Sequence, residues 1–215
     1  MDDGSTDGSL DVISKCCAGS GHRIKVISHR NNENWGLART YAAGLDGSEG
    51  KYIAFLEADD IWCNNHLSEL TQVLERGPEV VLVYGDVQLF GGSSLLRIRK
   101  HFHHVVIKRM VPRNCVFNAR QHLSSNNIIP GFSSALVRSR VMRKLNFCVP
   151  RDYPAWLDWW LWLQMAEYGA FYFLDKVLSL KRTHCKSYNN LFCSNLIHSY
   201  RLKRDFRRQY TVNSN

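Results

Sequence analysis

Glu57-Ala58-Asp59-Asp60 places three carboxylates in four residues, directly behind the apolar run Lys51-Tyr52-Ile53-Ala54-Phe55-Leu56. Acids this close repel one another unless something positive sits among them. A hard divalent cation, its shell completed by phosphate oxygens, would answer that need. The same residues also suit a solvated turn in which Asp60 caps the next helix. Asp158 lies in Trp156-Leu157-Asp158-Trp159-Trp160-Leu161-Trp162-Leu163, which is apolar on nearly every face. Such a helix is buried, and a lone carboxylate inside it is costly unless it is paired or faces a cleft. Burial raises a carboxylate's proton affinity, as a general base requires. An acid in a first helical turn is also favoured by the helix dipole alone. The third group is the turn Asp2-Asp3-Gly4-Ser5-Thr6-Asp7. A carboxylate there can hydrogen-bond a base edge or a ribose, and it is also ordinary turn chemistry.

The elements that must position these groups alternate between strand and helix. After the first turn, with Thr6 or Asp7 as cap, a helix is predicted over about Ser9 to Cys17. Arg23 to Ser28 alternates like a strand, His29 to Gly36 is a polar loop, and Leu37 to Leu45 reads as a helix. The run ending at Leu56 suits a buried parallel strand. A helix from His66 to Arg76 stops at Gly77-Pro78, and Glu79 to Tyr84 is the next strand. Further on, Phe132 to Val137 reads as a strand and Arg138 to Leu145 as a short helix. Trp156 to Tyr168 is a helix, and Phe171 to Leu180 is one or two strands. Leu196 to Tyr210 is a basic helix candidate. This alternation argues for an α/β sheet, with ligands at the carboxyl ends of its strands.

With 215 residues, 45% hydrophobic and 22% charged, the chain can bury a core, which excludes disordered and low-complexity classes. The 28 Lys and Arg against 19 Asp and Glu give a formal charge of +9, which favours anionic partners. No apolar run reaches the ~18 residues that span a bilayer, and the polar, acidic start is unlike a signal peptide. Seven scattered cysteines without zinc-like pairing read as a reduced, cytosolic protein.

Taken in order, these segments resemble glycosyltransferase family 2, the inverting transferases that use nucleotide-sugar donors. That family has an Asp-Asp-Gly-Ser-Thr-Asp turn, an Asn-x-Gly helix start with Ala-Arg, a Gly-x-Tyr-Ile-x-Phe-Leu-Asp-x-Asp-Asp strand and a late acidic pair opening a helix. Here they read as Asp2 to Asp7, Asn34 to Thr40, Gly50 to Asp60, and Leu157-Asp158. The resemblance implies an α/β, GT-A-type fold with a mixed, mostly parallel sheet flanked by helices. Residues 1–190 would be the catalytic domain and 191–215 a basic tail. It implies a hexosyltransferase that moves a sugar from a nucleotide-sugar, a UDP-sugar first of all, to a glycan or lipid-linked acceptor in cell-surface polysaccharide synthesis. By the same resemblance Asp3, or its neighbour Asp2, meets the nucleobase and Arg39 lies near the nucleotide. Glu57 lies near the ribose, Asp59 is on Mg²⁺ or Mn²⁺, and Asp158 is the base that deprotonates the acceptor. Arg182-Thr183-His184 resembles a segment that closes over the diphosphate, so Arg182 and His184 are candidate diphosphate contacts.

The sequence departs from the pattern at Glu57, Leu157 and Thr40, where the family has Asp, an acid and Asn. The family's leading strand, loop, helix and second strand, about 35 residues, do not precede Met1, so an N-terminally truncated sheet with an exposed edge is expected. An inactive, truncated homologue that binds a partner is therefore the alternative reading. Residues 97–109 carry five Lys or Arg, three His and no acid. They read as a solvated face or as a surface for phosphate or acceptor, with His101, His103 and His104 exposed. The basic tail suits an anionic membrane surface, so the expected location is cytoplasmic, peripheral at the inner membrane face. A nucleic-acid module would show steep salt dependence, but no recognition motif accompanies the charge, and nucleic acid is not an expected partner. The tryptophans of the late helix are expected mostly in the core.

Overall fold

The computed structural model describes residues 1–21, 24–148 and 156–184, together with Arg204, Asp205 and Arg208. It divides into two compact units, Met1–Gly50 and Lys51–Asn215. The boundary expected at residue 190 lies outside the described residues. So does the candidate helix over 196–210, apart from three helical residues.

The first unit holds helices α1 (Ser9–Ala18) and α2 (Leu37–Asp46). Asp7 accepts the Ser9 N–H at 3.0 Å, so it closes the start of α1 from one residue before the cap position, which Gly8 occupies. Of the strand expected over 23–28, the described residues show a single parallel bridge between Asp2 and Ser28. The Asp2 N–H donates to the Ile27 carbonyl at 2.9 Å.

The second unit is built on a six-stranded sheet. Its strands are β1 (Tyr52–Ala54), β2 (Ile61–Trp62), β3 (Val80–Phe90), β4 (Val116–Phe117), β5 (Ala135–Arg138) and β6 (Ala170–Arg182). The order is β1-β5-β3-β6-β2, with β4 also on β6. The sheet is mixed, as expected, but parallel pairing is confined to β3 and β6, which is the longest pairing. The other four pairings are antiparallel. β1, β3 and β6 nonetheless point the same way, because β5 runs against both β1 and β3. Apolar runs cannot reveal this interleaving, since a strand buried on both faces is equally apolar whichever way its neighbour runs.

Helix α3 (His66–Arg76) lays His66, Leu70 and Leu74 on the sheet at helical spacing. Leu70 and Leu74 join Val80, Val83, Leu136, Leu174 and Leu178 in one buried cluster. Arg138 ends β5 in that core. Its guanidinium donates to the carbonyls of Leu74, Gly77 and Val80, which satisfies the end of α3 and the start of β3. Residues 94–109, unassigned by pattern, form α4 (Ser94–Arg109). The short helices α5 (Arg120–Ser125) and α6 (Ser139–Met142) follow. The late helix is α7 (Leu157–Met165), with Leu157, Trp159, Leu161, Trp162 and Met165 buried. Among the described residues no helix is long and apolar enough to cross a membrane.

Candidate functional site

In the first unit the acidic turn is held by its own carboxylates. Asp2 is 4% exposed, and its Oδ2 accepts the N–H groups of Gly4 and Ser5 at 3.2 and 3.3 Å. Hydrogen bonds from Ser5, side chain first, lower its pKa below the ordinary Asp value against the opposing effect of burial. Asp3 Oδ1 accepts the Trp35 N–H at 2.8 Å and lies 3.4 Å from His29 Nε2. Trp35 stacks on His29 with ring centroids 4.4 Å apart, and His29 Nε2 is 2.9 Å from Thr40 Oγ1. Gly4 is required here: its φ is +78°, and a Cβ would lie 2.7 Å from the Asn32 carbonyl oxygen. Asp2 and Asp3 therefore sit together on one turn. Arg39 is exposed on α2.

In the second unit the remaining candidates converge where β1 ends and β6 ends. The Asp60 N–H donates to the Glu57 carbonyl at 3.0 Å, closing a turn. The chain then enters β2, which pairs with Ser179 and Leu180 of β6. This return brings the acidic turn against Lys181 to His184. Asp60 Oδ1 accepts the Arg182 N–H at 3.0 Å, so Asp60 ties the turn to β6 and does not cap α3. His184 Nε2 lies 2.9 Å from Asp59 Oδ2. The Arg182 guanidinium is over the Phe90 ring, 5.6 Å from its centroid. Arg182 thus presents its backbone, and His184 its ring, to the acids.

Lys181 is the residue that sequence reasoning missed. Its Nζ donates to the Pro130 carbonyl at 2.8 Å and stands 3.9 Å from Glu57 Oε2. Gly131 makes the seat possible, because a Cβ there would lie 2.3 Å from that Nζ. The Gly131–Ser134 turn also backs the acidic loop. Ser133 Oγ accepts the Glu57 N–H at 3.0 Å, and the Ser133 carbonyl accepts the Trp62 indole N–H at 2.7 Å.

Asp158 opens α7. Its Oδ2 accepts from Asn127 Nδ2 at 2.9 Å, and its Oδ1 accepts the Trp159 N–H at 2.7 Å. Burial raises its pKa, opposed first by the charge of Lys181 and then by those two hydrogen bonds. Glu57 is raised too, by burial first. Lys181 opposes this, and the charges of Asp60, Asp158 and Asp59 add to it. Glu57, Asp158 and Lys181 therefore form one electrostatic group, with Asp59 and His184 beside it.

Asp59 and His184 are the residues that could take part in holding a divalent cation. Asp59 and His184 offer a carboxylate oxygen and an imidazole nitrogen 2.9 Å apart. The neighbouring Asp60 Oδ2 is buried without a hydrogen-bond partner. Among the described residues no three such side chains form a closed metal cluster.

The histidines of α4 correct one expectation. His101 is exposed, but His104 turns inward, with Nε2 2.6 Å from Asp86 Oδ1. The five described cysteines are free.

Comparison with known proteins bears on the family and the fold. The model of one family, glycosyl transferase family 2, matches residues 1–145. An uncharacterised glycosyltransferase of Haemophilus influenzae is 23% identical over 198 residues, covering 86% of this chain and 55% of that protein. WfaP of Escherichia coli is named UDP-Glc:alpha-D-GlcNAc-diphosphoundecaprenol beta-1,3-glucosyltransferase. It is 34% identical over 74 residues, 34% of this chain and 28% of WfaP. The crystal structure of S. aureus TarS 1-349 in complex with UDP-GlcNAc has a TM-score of 0.55 at 14% identity, covering 85% of this chain and 48% of TarS. That likeness concerns the fold, which is of the GT-A type. The chain spans 28% to 55% of these curated relatives.

Proposed function

This chain belongs to glycosyl transferase family 2, and from that premise we propose that it transfers a hexosyl group from a UDP-sugar to a hydroxyl of a glycan or lipid-linked acceptor, with inversion. The observation that carries the reading is the grouping of Asp158, Lys181 and Glu57 beside the Asp59–His184 pair, at the ends of β1 and β6.

Asp158 takes the proton of the acceptor hydroxyl. Its raised proton affinity suits that task, and Asn127 and the Trp159 N–H hold the carboxylate still while it does so. The freed oxygen attacks the anomeric carbon from the face opposite the diphosphate. The bond to the diphosphate breaks, and the nucleotide leaves with the electron pair. Asp59 and His184 would hold Mg²⁺ or Mn²⁺, which when bound neutralises charge on the departing diphosphate. Within the second unit, Glu57 is assigned to the ribose and Arg182 to the diphosphate. The donor class is supported by the UDP-Glc in the name of WfaP and by the UDP-GlcNAc of the TarS complex. The lipid-linked acceptor is supported by the diphosphoundecaprenol of WfaP. A role in cell-surface polysaccharide synthesis at the inner membrane face follows from such an acceptor.

The test is calorimetric titration of uridine diphosphate with and without Mn²⁺, followed by a transfer assay over a panel of UDP-sugars. Manganese-dependent binding and transfer are expected. Binding without transfer by any donor would favour a binding homologue, and no binding of any nucleoside diphosphate would defeat the reading.

A further inference from the structure

Helix α4 departs from an ordinary surface helix, which turns apolar residues inward and charges outward, by mixing the two on each face. Two of its polar residues, one turn apart, point into the protein. His104 meets Asp86, and Lys108 is ion-paired with both Asp86 and Asp175, the latter at 2.5 Å. Ile107 and Val111 are buried with them. Facing out are Ile98, 65% exposed, Val106, 42%, and Met110, 51%, with Arg109 and His101 also exposed. At 3.6 residues per turn, Ile98, Val106 and Arg109 share about a quarter of the helix circumference.

The helix's own charge is one-sided. Residues 97–109 carry five Lys or Arg, three His and no Asp or Glu. An apolar ridge set among cations, with no acid in the same stretch, fits a surface that is apolar within and negative at its boundary. A second copy of the same face would bring cations against cations, and nucleic acid would leave the apolar side chains unmatched. We propose that the outer face of α4 docks this protein on an anionic lipid bilayer, with Ile98, Val106 and Met110 entering the headgroup boundary and the flanking basic residues meeting lipid phosphates.

The helix is well placed for this. It leaves the sheet beside the end of β6. Arg97 Nη1 donates to the Gly91 and Gly92 carbonyls at 2.7 and 3.1 Å, and the Thr183 N–H donates to the Phe90 carbonyl at 2.8 Å. Thr183 is the neighbour of His184. A bilayer under α4 thus lies near the end of the sheet that holds Asp59 and His184.

The experiment is co-sedimentation of the full chain with vesicles of phosphatidylcholine alone, and with vesicles of equal parts phosphatidylcholine and phosphatidylglycerol. The intact chain is expected to bind only the second kind. The triple variant Ile98→Ser, Val106→Ser, Met110→Ser is expected to lose at least about 100-fold in affinity, as removal of three inserted apolar side chains implies. The single change Ile98→Ser should show a smaller loss without disturbing the fold. A variant with Arg201, Lys203, Arg204, Arg207 and Arg208 changed to Gln separates the tail from α4 and should keep most of the binding. The proposal is overturned if the intact chain ignores anionic vesicles, as it would if α4 met an acidic protein. It is overturned equally if the serine variants bind undiminished, or if only the tail variant loses binding.

Discussion

Asp59 and His184, 125 residues apart in the chain, place Oδ2 and Nε2 2.9 Å from each other. The contact depends on β2 pairing back onto β6, which folds the acidic turn against the residues that follow Arg182. Under the proposed function a divalent cation is assigned to this pair, and two substitutions test that assignment. Asp59→Asn and His184→Ala are each expected to weaken manganese-dependent binding of uridine diphosphate by at least about tenfold. Manganese-free binding should change little. Calorimetry in manganese and in chelator separates the two, and an unchanged manganese dependence in both variants would remove the metal from this pair.

Asp158→Asn should lower kcat by about 10²- to 10⁴-fold, the usual contribution of a general base, while leaving uridine diphosphate affinity nearly intact. Stability gives a second readout. Because the folded-state pKa of Asp158 is raised, the buried charge costs stability above that pKa, and the cost disappears as pH falls into the ordinary Asp range. The Asn variant should therefore gain most over the parent at neutral pH and lose that advantage in acid. Urea unfolding across that range checks the sign, and a parallel loss of nucleotide affinity would defeat the base assignment.

Lys181→Met removes the cation that opposes the raising of both the Asp158 and the Glu57 pKa by burial. The acid limb of kcat against pH should move to higher pH, since Asp158 then holds its proton more tightly. Glu57 then keeps Asp59, Asp60 and Asp158 as acidic neighbours with no Lys181 to oppose them. Lys181→Arg should restore part of the activity. Gly131→Ala should move the limb in the same direction, because its Cβ would displace the ammonium from Pro130. A fall in kcat at unchanged pH dependence would mean that Lys181 acts elsewhere.

The close grouping of Glu57, Asp59 and Asp60 was legible because three acids stand in four residues, and α3 and α7 were legible because their apolar spacing is regular. Three acids in four residues call for a positive charge, and that deduction pointed to a metal. The structure supplies Lys181 as well, which no spacing rule reaches because it arrives through strand pairing. Asn127 and Ser133 escaped for the same reason: each meets its partner across more than thirty residues. Gly131 carried a signal in Ile129-Pro130-Gly131, but one that reads only as a turn. The place of β5 between β1 and β3 was hidden because hydrophobic runs do not encode strand direction. α4 was hidden because its polar residues at 104 and 108 face the core, against the periodicity used to recognise a surface helix.

That inversion gives the last prediction. Asp86 is 7% exposed on β3. Burial alone would raise its pKa, but hydrogen bonds from His104, Lys108 and the Val87 N–H outweigh it and bring it to about 2. A carboxylate lowered in the folded state contributes stability above its ordinary value of 3.8, and that contribution is lost as pH falls from there through about 2. Lys108→Met leaves Asp86 with His104 and leaves Asp175 with Arg113, which stands 3.2 Å from it. Asp86→Ala leaves His104 without its carboxylate and Lys108 with Asp175 alone, and should be the worse change, costing about 3 kcal/mol at neutral pH. Urea midpoints of the three proteins, measured at neutral pH and again near the Asp86 transition, should converge in acid. If the Asp86→Ala difference persists there undiminished, the loss is one of packing, and the ion network is not what fixes α4 to the sheet.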